Sequence, residues 1–295
     1  MGRVTRNHPV VRIGPGAATR RVDTLAVEEP LEIRLAGESF LVTMRTPGDD
    51  VDLVHGLLHS EDLIECGADL VSARYCLGTG PDGLNTYNVI DVALAPHRPP
   101  PSAAQRRQVM TSSACGICGT TTIDQVVQTS RHPLNPDFRV PAELILAAPD
   151  LLRDHQRAFA KTGGLHAAGL LGLDGVMACV REDVGRHNAV DKVVGWAIRE
   201  DRLPLAEMIL VVSGRASFEL TQKAVLAGIP VMAAVSAPSS LAAELASESG
   251  LTLAGFVRGQ TMNVYAHPER IVTPAPGAAD TSRSVGEIST LRSPS

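Results

Sequence analysis

The chain has 295 residues, 44% hydrophobic and 20% charged, so it can bury a core and is not disordered along its whole length. Only 3% of residues are aromatic and the net charge is −5, which removes the stacking platforms and the basic field that nucleic-acid binding uses. Five cysteines make no disulfide scaffold, no run approaches the roughly 18 apolar residues of a spanning helix, and Met1–Arg21 lacks a signal's apolar run; a cytoplasmic protein outside the membrane is expected.

The first twenty residues are polar, contain Gly14-Pro15-Gly16, and read as a loose arm over 1–20. A β-rich part is expected over 21–110. There Leu31, Ile33 and Leu35 alternate with polar residues, Gly37 turns the chain, and Phe40, Val42 and Met44 alternate again, the pattern of a hairpin with one buried face. Asp49 is placed to N-cap a helix bearing Val51, Val54 and Leu58. Val71–Leu77 and Tyr87–Leu94 read as strands, and Pro96–Pro101 as a linker.

An α/β domain is expected over 111–273. Pro141–Phe159 is helical in pattern, with Pro149 placed to begin a second helix. Ala167–Val180 is apolar except for the hairpin signal Asp174-Gly175. His187–Glu200 is an amphipathic helix with Val190, Val193, Val194 and Ala197 on one side. Strands at Met208–Val212, Val231–Val235 and Leu251–Val257 then alternate with helices at Phe218–Ala227 and Ser239–Ser249. That alternation predicts parallel strands with right-handed crossovers. Pro274–Ser295 reads as a disordered tail over 274–295.

Ser112-Ser113-Ala114-Cys115-Gly116-Ile117-Cys118-Gly119 brings two thiols into a glycine-rich loop. Thr121 with Asp124 fits a capping box, and a helix starting there would lower a thiol pKa through its dipole. A zinc half-site, a redox dithiol and a persulfide carrier all fit. A structural zinc site needs four ligands, whereas Cys66, Cys76 and Cys179 lie in apolar patterns and read as core residues, so no structural metal is expected. The redox dithiol is weakened because the motif follows a proline linker rather than opening a βαβ unit.

Further signals are polar groups beside predicted strand ends. Lys161-Thr162-Gly163-Gly164-Leu165-His166 offers a histidine that is either a ligand, an acid/base group or a satisfied structural residue. Arg181-Glu182-Asp183-Val184-Gly185-Arg186-His187-Asn188 is dense in charge, and Arg186 and His187 can meet an anion there. Ser213-Gly214-Arg215-Ala216-Ser217, Ser236-Ala237-Pro238-Ser239-Ser240 and Phe256-Val257-Arg258-Gly259-Gln260-Thr261 follow three strands in turn. Open α/β sheets place ligands at such ends, and arginine with backbone N–H groups suits a large phosphorylated ligand. No Walker sequence is present.

These motifs, in this order, resemble the FdhD family of sulfur carriers needed for formate dehydrogenase activity, from about Val27 to Ile271. The resemblance implies a sulfurtransferase that receives sulfur from a cysteine desulfurase as a persulfide. It then passes the sulfur to the molybdenum cofactor, in its bis-molybdopterin guanine dinucleotide form, before insertion into formate dehydrogenase. Cys115 is then the persulfide carrier, with Cys118 as relay or alternative. Phe256, Val257, Arg258, Gly259, Gln260 and Thr261 fall where the family binds the cofactor, with Ser213, Arg215 and His187 on the neighbouring loops. The implied fold is α/β, with a cytidine deaminase-like C-terminal domain and a smaller β-rich N-terminal part; a homodimer is expected by base rate. Zinc-dependent deamination is disfavoured, because His166 is followed by Ala167 and Ala168 and so lacks the glutamate that this chemistry needs two positions on. The alternative is a non-catalytic chaperone that binds the cofactor in transit.

Overall fold

The computed structural model describes residues 4–76, 78, 86–102, 105 and 130–273. The first element corrects the loose arm. β1 (Thr5–Gly14) and β2 (Ala17–Ala26) pair along their full length as an antiparallel hairpin. Pro15 and Gly16 form its two-residue turn, with Gly16 at φ +91. Val11, Ile13 and Val22 remain exposed, so no buried-face pattern marked these strands.

β3 (Glu29–Leu35), β4 (Glu38–Arg45), β5 (Leu70–Tyr75) and β6 (Val89–Leu94) form a sheet in the order β4-β3-β6-β5. The expected hairpin is present, but only part of its second buried face. The register between Ile33 and Arg34 skips Phe40, a bulge. Phe40 and Leu41 are therefore both buried, while Val42 and Met44 turn outward. Helix α1 (Asp50–Ser60) follows; Asp49 holds the N-cap position but makes no side-chain capping bond. The stretch expected as a linker is pinned, since Arg98 reaches Glu65 at 2.7 Å and Asp69 at 2.6 Å.

β7 (Val140–Pro141) precedes α2 (Ala142–Asp154), which runs through Pro149 instead of restarting there. Burial of Ile145, Ala148 and Leu152 on one side holds the helix despite the missing proline N–H. A short turn, α3 (Phe159–Thr162), comes next. β8 (His166–Leu171) and β9 (Met177–Asp183) form the expected hairpin, followed by α4 (Arg186–Arg199) with its predicted valines buried.

The alternating region gives β10 (Ile209–Val212), α5 (Phe218–Leu226), β11 (Val231–Ala234), α6 (Ser240–Ser249) and β12 (Thr252–Arg258). β13 (Thr261–Ala266) was not anticipated; it returns antiparallel from β12, and β14 (Ile271–Val272) pairs with β7. The large sheet has the order β13-β12-β11-β10-β8-β9, with β10, β11 and β12 parallel as expected.

Alternation across β10 sorts the core. Leu210 and Val212 join one cluster with α1, α4, α5, α6 and the four-stranded sheet, including Leu31 and Ile33. Ile209 and Val211 face α2 in a second cluster. Both compositional parts thus share the larger core. None of the described helices is long and apolar enough to cross a membrane.

Candidate functional site

Strand direction builds the site. β10, β11 and β12 are parallel, so their carboxyl ends share one edge of the sheet. β8 runs antiparallel to β10, which brings its first residue, His166, to the same edge, paired with Asp183 at the end of β9. The motifs Ser213–Ser217, Ser236–Ser240, Phe256–Thr261, His166 and Gly185–His187 therefore converge, although they span about a hundred positions.

Backbone bonds lock the loops to each other. Ser213 N–H donates to Ala167 C=O at 3.0 Å, and Ala167 N–H returns a bond to Ser213 Oγ at 2.9 Å. Ala216 N–H donates to Ala237 C=O at 3.2 Å, Ser239 N–H to Ala216 C=O at 3.0 Å, and Phe256 N–H to Ser236 C=O at 3.2 Å. Gly255 permits the last contact: a Cβ there would lie 3.0 Å from the Pro238 ring and 3.2 Å from Ser236 C=O.

A groove of about 370 Å³ opens along this edge, beside the end of α2. It is lined by His166, Ser213, Val257, Arg258 and Gly259 from the predicted set. Phe256, Gln260, Thr261, Arg215 and His187 lie outside its lining, on the same or adjoining loops. Phe256, Val257 and Arg258 belong to β12 itself, which corrects the expectation that the whole stretch follows the strand. The Val257 side chain is wholly buried in the second cluster, so it seats Arg258 rather than presenting chemistry. Arg258 and Arg215 are exposed.

The electrostatics favour an anion near a neutral His166. Burial lowers the His166 pKa, and the positive charge of Arg186 and the proximity of His187 lower it further. His166 is thus an uncharged donor or acceptor at neutral pH. His187 is committed: its Nε2 lies 2.7 Å from Glu219 and 3.3 Å from Ser217 Oγ. That bond holds the Glu219 carboxyl below the usual range. Arg186 Nε is buried with no hydrogen-bond partner among the described residues.

Most of the charge in the Arg181–Asn188 motif is structural, not functional as its density implied. Glu182 accepts Ala158 N–H at 2.9 Å and Phe159 N–H at 2.7 Å, securing the start of α3. Asp183, wholly buried, accepts Gly185 N–H at 2.8 Å and Thr46 N–H at 3.1 Å, and pairs with Lys192 at 2.7 Å. Asp191 pairs with Lys223 at 2.6 Å. Arg186 and His187 remain at the sheet edge.

Cys115 and Cys118 lie outside the described residues, as do the Thr121–Asp124 capping box and the 274–295 tail. Of the three cysteines read as core, Cys179 is buried and burial pushes its thiol up to about 12. Cys76 is half-buried. Cys66 is exposed, which corrects its assignment; it lines a second pocket of about 580 Å³ with His59 and His132. No group of metal-ligating side chains is assembled among the described residues. Arg153 and Gln156 also line the groove and were missed, because a polar residue at a helix end carries no distinctive signal.

The FdhD/NarQ family model matches residues 26–272. The sulfur carrier protein FdhD of Nocardia farcinica is 58% identical over 271 residues, covering 92% of this chain and 96% of that protein. Its counterpart from Streptomyces coelicolor is 56% identical over 273 residues, covering 92% and 97%. The crystal structure of a candidate formate dehydrogenase accessory protein from Desulfotalea psychrophila superposes with a TM-score of 0.72 at 25% identity, covering 92% of this chain and all of that one.

Proposed function

The chain belongs to the FdhD/NarQ family, and on that premise we propose that it is a sulfurtransferase carrying a persulfide on Cys115, with Cys118 as relay. The donor is a cysteine desulfurase. The acceptor is the molybdenum cofactor in its bis-molybdopterin guanine dinucleotide form, bound as substrate before it enters formate dehydrogenase. The identity to proteins named sulfur carriers, over nearly their whole length, carries this reading. A homodimer working in the reducing cytoplasm is part of the same proposal.

Loading is an exchange that consumes no oxidant. The Cys115 thiolate attacks the outer sulfur of the donor R–S–SH, the S–S bond breaks, and R–S⁻ leaves. For delivery, the Cys118 thiolate attacks the inner sulfur, expels hydrosulfide to the cofactor and leaves a Cys115–Cys118 disulfide. The two thiols supply the two electrons.

The sheet edge supports the acceptor half. Its loops supply backbone N–H groups, Arg258 supplies exposed positive charge, and Arg186 keeps an unused buried donor. A cytidine deaminase-like relationship for this α/β domain belongs to the same proposal, without the deaminase reaction, since Ala168 stands where that chemistry needs glutamate.

Mass spectrometry after incubation with a desulfurase and cysteine tests the proposal. An adduct of about 32 Da, one sulfur atom, is expected on Cys115 and absent in Cys115→Ala. Full formate dehydrogenase activity with both Cys115→Ala and Cys118→Ala would overturn the persulfide route and favour the chaperone.

A further inference from the structure

The β1–β2 hairpin ends at Ala26, where the family match begins, so family membership gives it no role. Ala26, at its root, packs beside Gly164 on the rim of the sheet-edge groove. Ten residue pairs then run to the Pro15-Gly16 turn, a ribbon about 33 Å long. Strand alternation gives the ribbon two faces. On one, Pro9, Val11 and Ile13 lie opposite Val22, Arg20 and Ala18; all six are exposed, Ile13 at 83%. Arg6, Arg12 and Arg21 stand on the other face, also exposed. A two-stranded ribbon with an uncovered apolar face is marginal in water, and a protein surface laid on that face would complete it.

Charge and area narrow the partner. The hairpin carries four arginines and one aspartate, a net +3, so the rest of the chain carries −8. A basic arm is drawn to the acidic body of another copy, while two arms repel each other. Arm on body is therefore favoured over arm on arm. Each ribbon face spans roughly 10 Å by 33 Å, or about 330 Å². Two arms exchanged between two copies, each covering an equal area of the opposite body, remove about 1,300 Å² from solvent, within the roughly 1,200–2,000 Å² of stable specific interfaces. We infer that the apolar face of β1–β2 clasps the body of a second copy of this chain, the two arms exchanged about a two-fold axis. The inference rests on the homodimer of the proposed function and names the surface that builds it.

Sedimentation velocity of the full chain, over a concentration series from about 1 to 50 μM, tests it. The wild type is expected to dimerise. The double variant Val11→Asp, Ile13→Asp should weaken the dimer about 100-fold, because two apolar side chains can no longer be buried. Val176→Asp, in the β8–β9 turn and as exposed as Val11, should leave it unchanged. Added salt should weaken the wild-type dimer, since part of the attraction is between charges in water. A dimer that survives the double substitution overturns the arm and leaves the homodimer standing. A monomeric wild type overturns both. A double variant that melts below the wild type at a dilution where both are monomers shows that the face is covered by its own body, and overturns the inference too. Persulfide formation on Cys115 is a separate readout, so these outcomes are distinguishable from failure of the sulfur-transfer proposal.

Discussion

Lys192 Nζ lies 2.7 Å from the Asp183 carboxylate, and both side chains are withdrawn from solvent. Lys192 also donates to Thr46 C=O at 2.9 Å, and Asp183 accepts Thr46 N–H. The pair thereby ties the end of β9 and the flank of α4 to the chain leaving the four-stranded sheet. It holds Arg186 and His187 at the site from behind.

Removing one partner leaves the other charge buried and alone. Lys192→Met is therefore expected to cost about 3–5 kcal/mol in urea denaturation. A loss below 1 kcal/mol would show that the pair is not what holds this junction.

The crossing of α1 and α4 depends on two glycines. A Cβ on Gly195 would lie 1.8 Å from Asp52 C=O, and one on Gly56 would lie 1.9 Å from Asp191 C=O. Both obstacles are backbone, so the helices must separate. Gly195→Ala should cost about 3 kcal/mol. Gly14→Ala, with nothing within 4 Å, should stay within about 0.5 kcal/mol by the same thermal-unfolding assay.

His59 makes stability depend on pH. Burial, with His132, Lys223 and Arg131 nearby, lowers its pKa from the usual 6.5 to about 4. Between those values the unfolded chain binds a proton that the folded chain does not, so stability falls as the solution is acidified through this window. The loss amounts to up to about 3 kcal/mol. His59→Leu should flatten the stability profile between pH 6.5 and 4; an unchanged slope would contradict the burial argument.

Thiol labelling separates the described cysteines. Exposed Cys66 should react with a maleimide at neutral pH in the native chain. Cys179, buried and with its thiol held protonated, should react only after denaturation. Peptide mapping by mass spectrometry reads both, and rapid native labelling of Cys179 would refute its burial.

Arg258 carries exposed charge at the groove. Arg258→Ala should weaken GMP binding about tenfold and reduce its dependence on ionic strength, as titrations at low and high salt would show. Equal affinity and equal salt dependence would remove Arg258 from the site.

Local patterns made much of the fold legible. The period-2 run of Leu31, Ile33 and Leu35 and the valine stripe of α4 each report burial of their own residues. The bulge at Phe40 was not legible, because register depends on the partner strand. The β1–β2 hairpin escaped notice for a related reason: its apolar residues are exposed, so nothing in their spacing answered to a core.

By itself, the sequence determined the alternating strands and helices and the motifs placed at their ends, because hydrophobic period and turn residues are local quantities. Tertiary structure decided which polar residues serve the site. Asp183, Asp191 and Lys192 looked as available as Arg186, but partners distant in the chain, such as Thr46 and Lys223, consume their charge and hydrogen-bonding capacity. The physical reason is that satisfaction of a buried polar group is set by neighbours in space, which residue spacing does not encode.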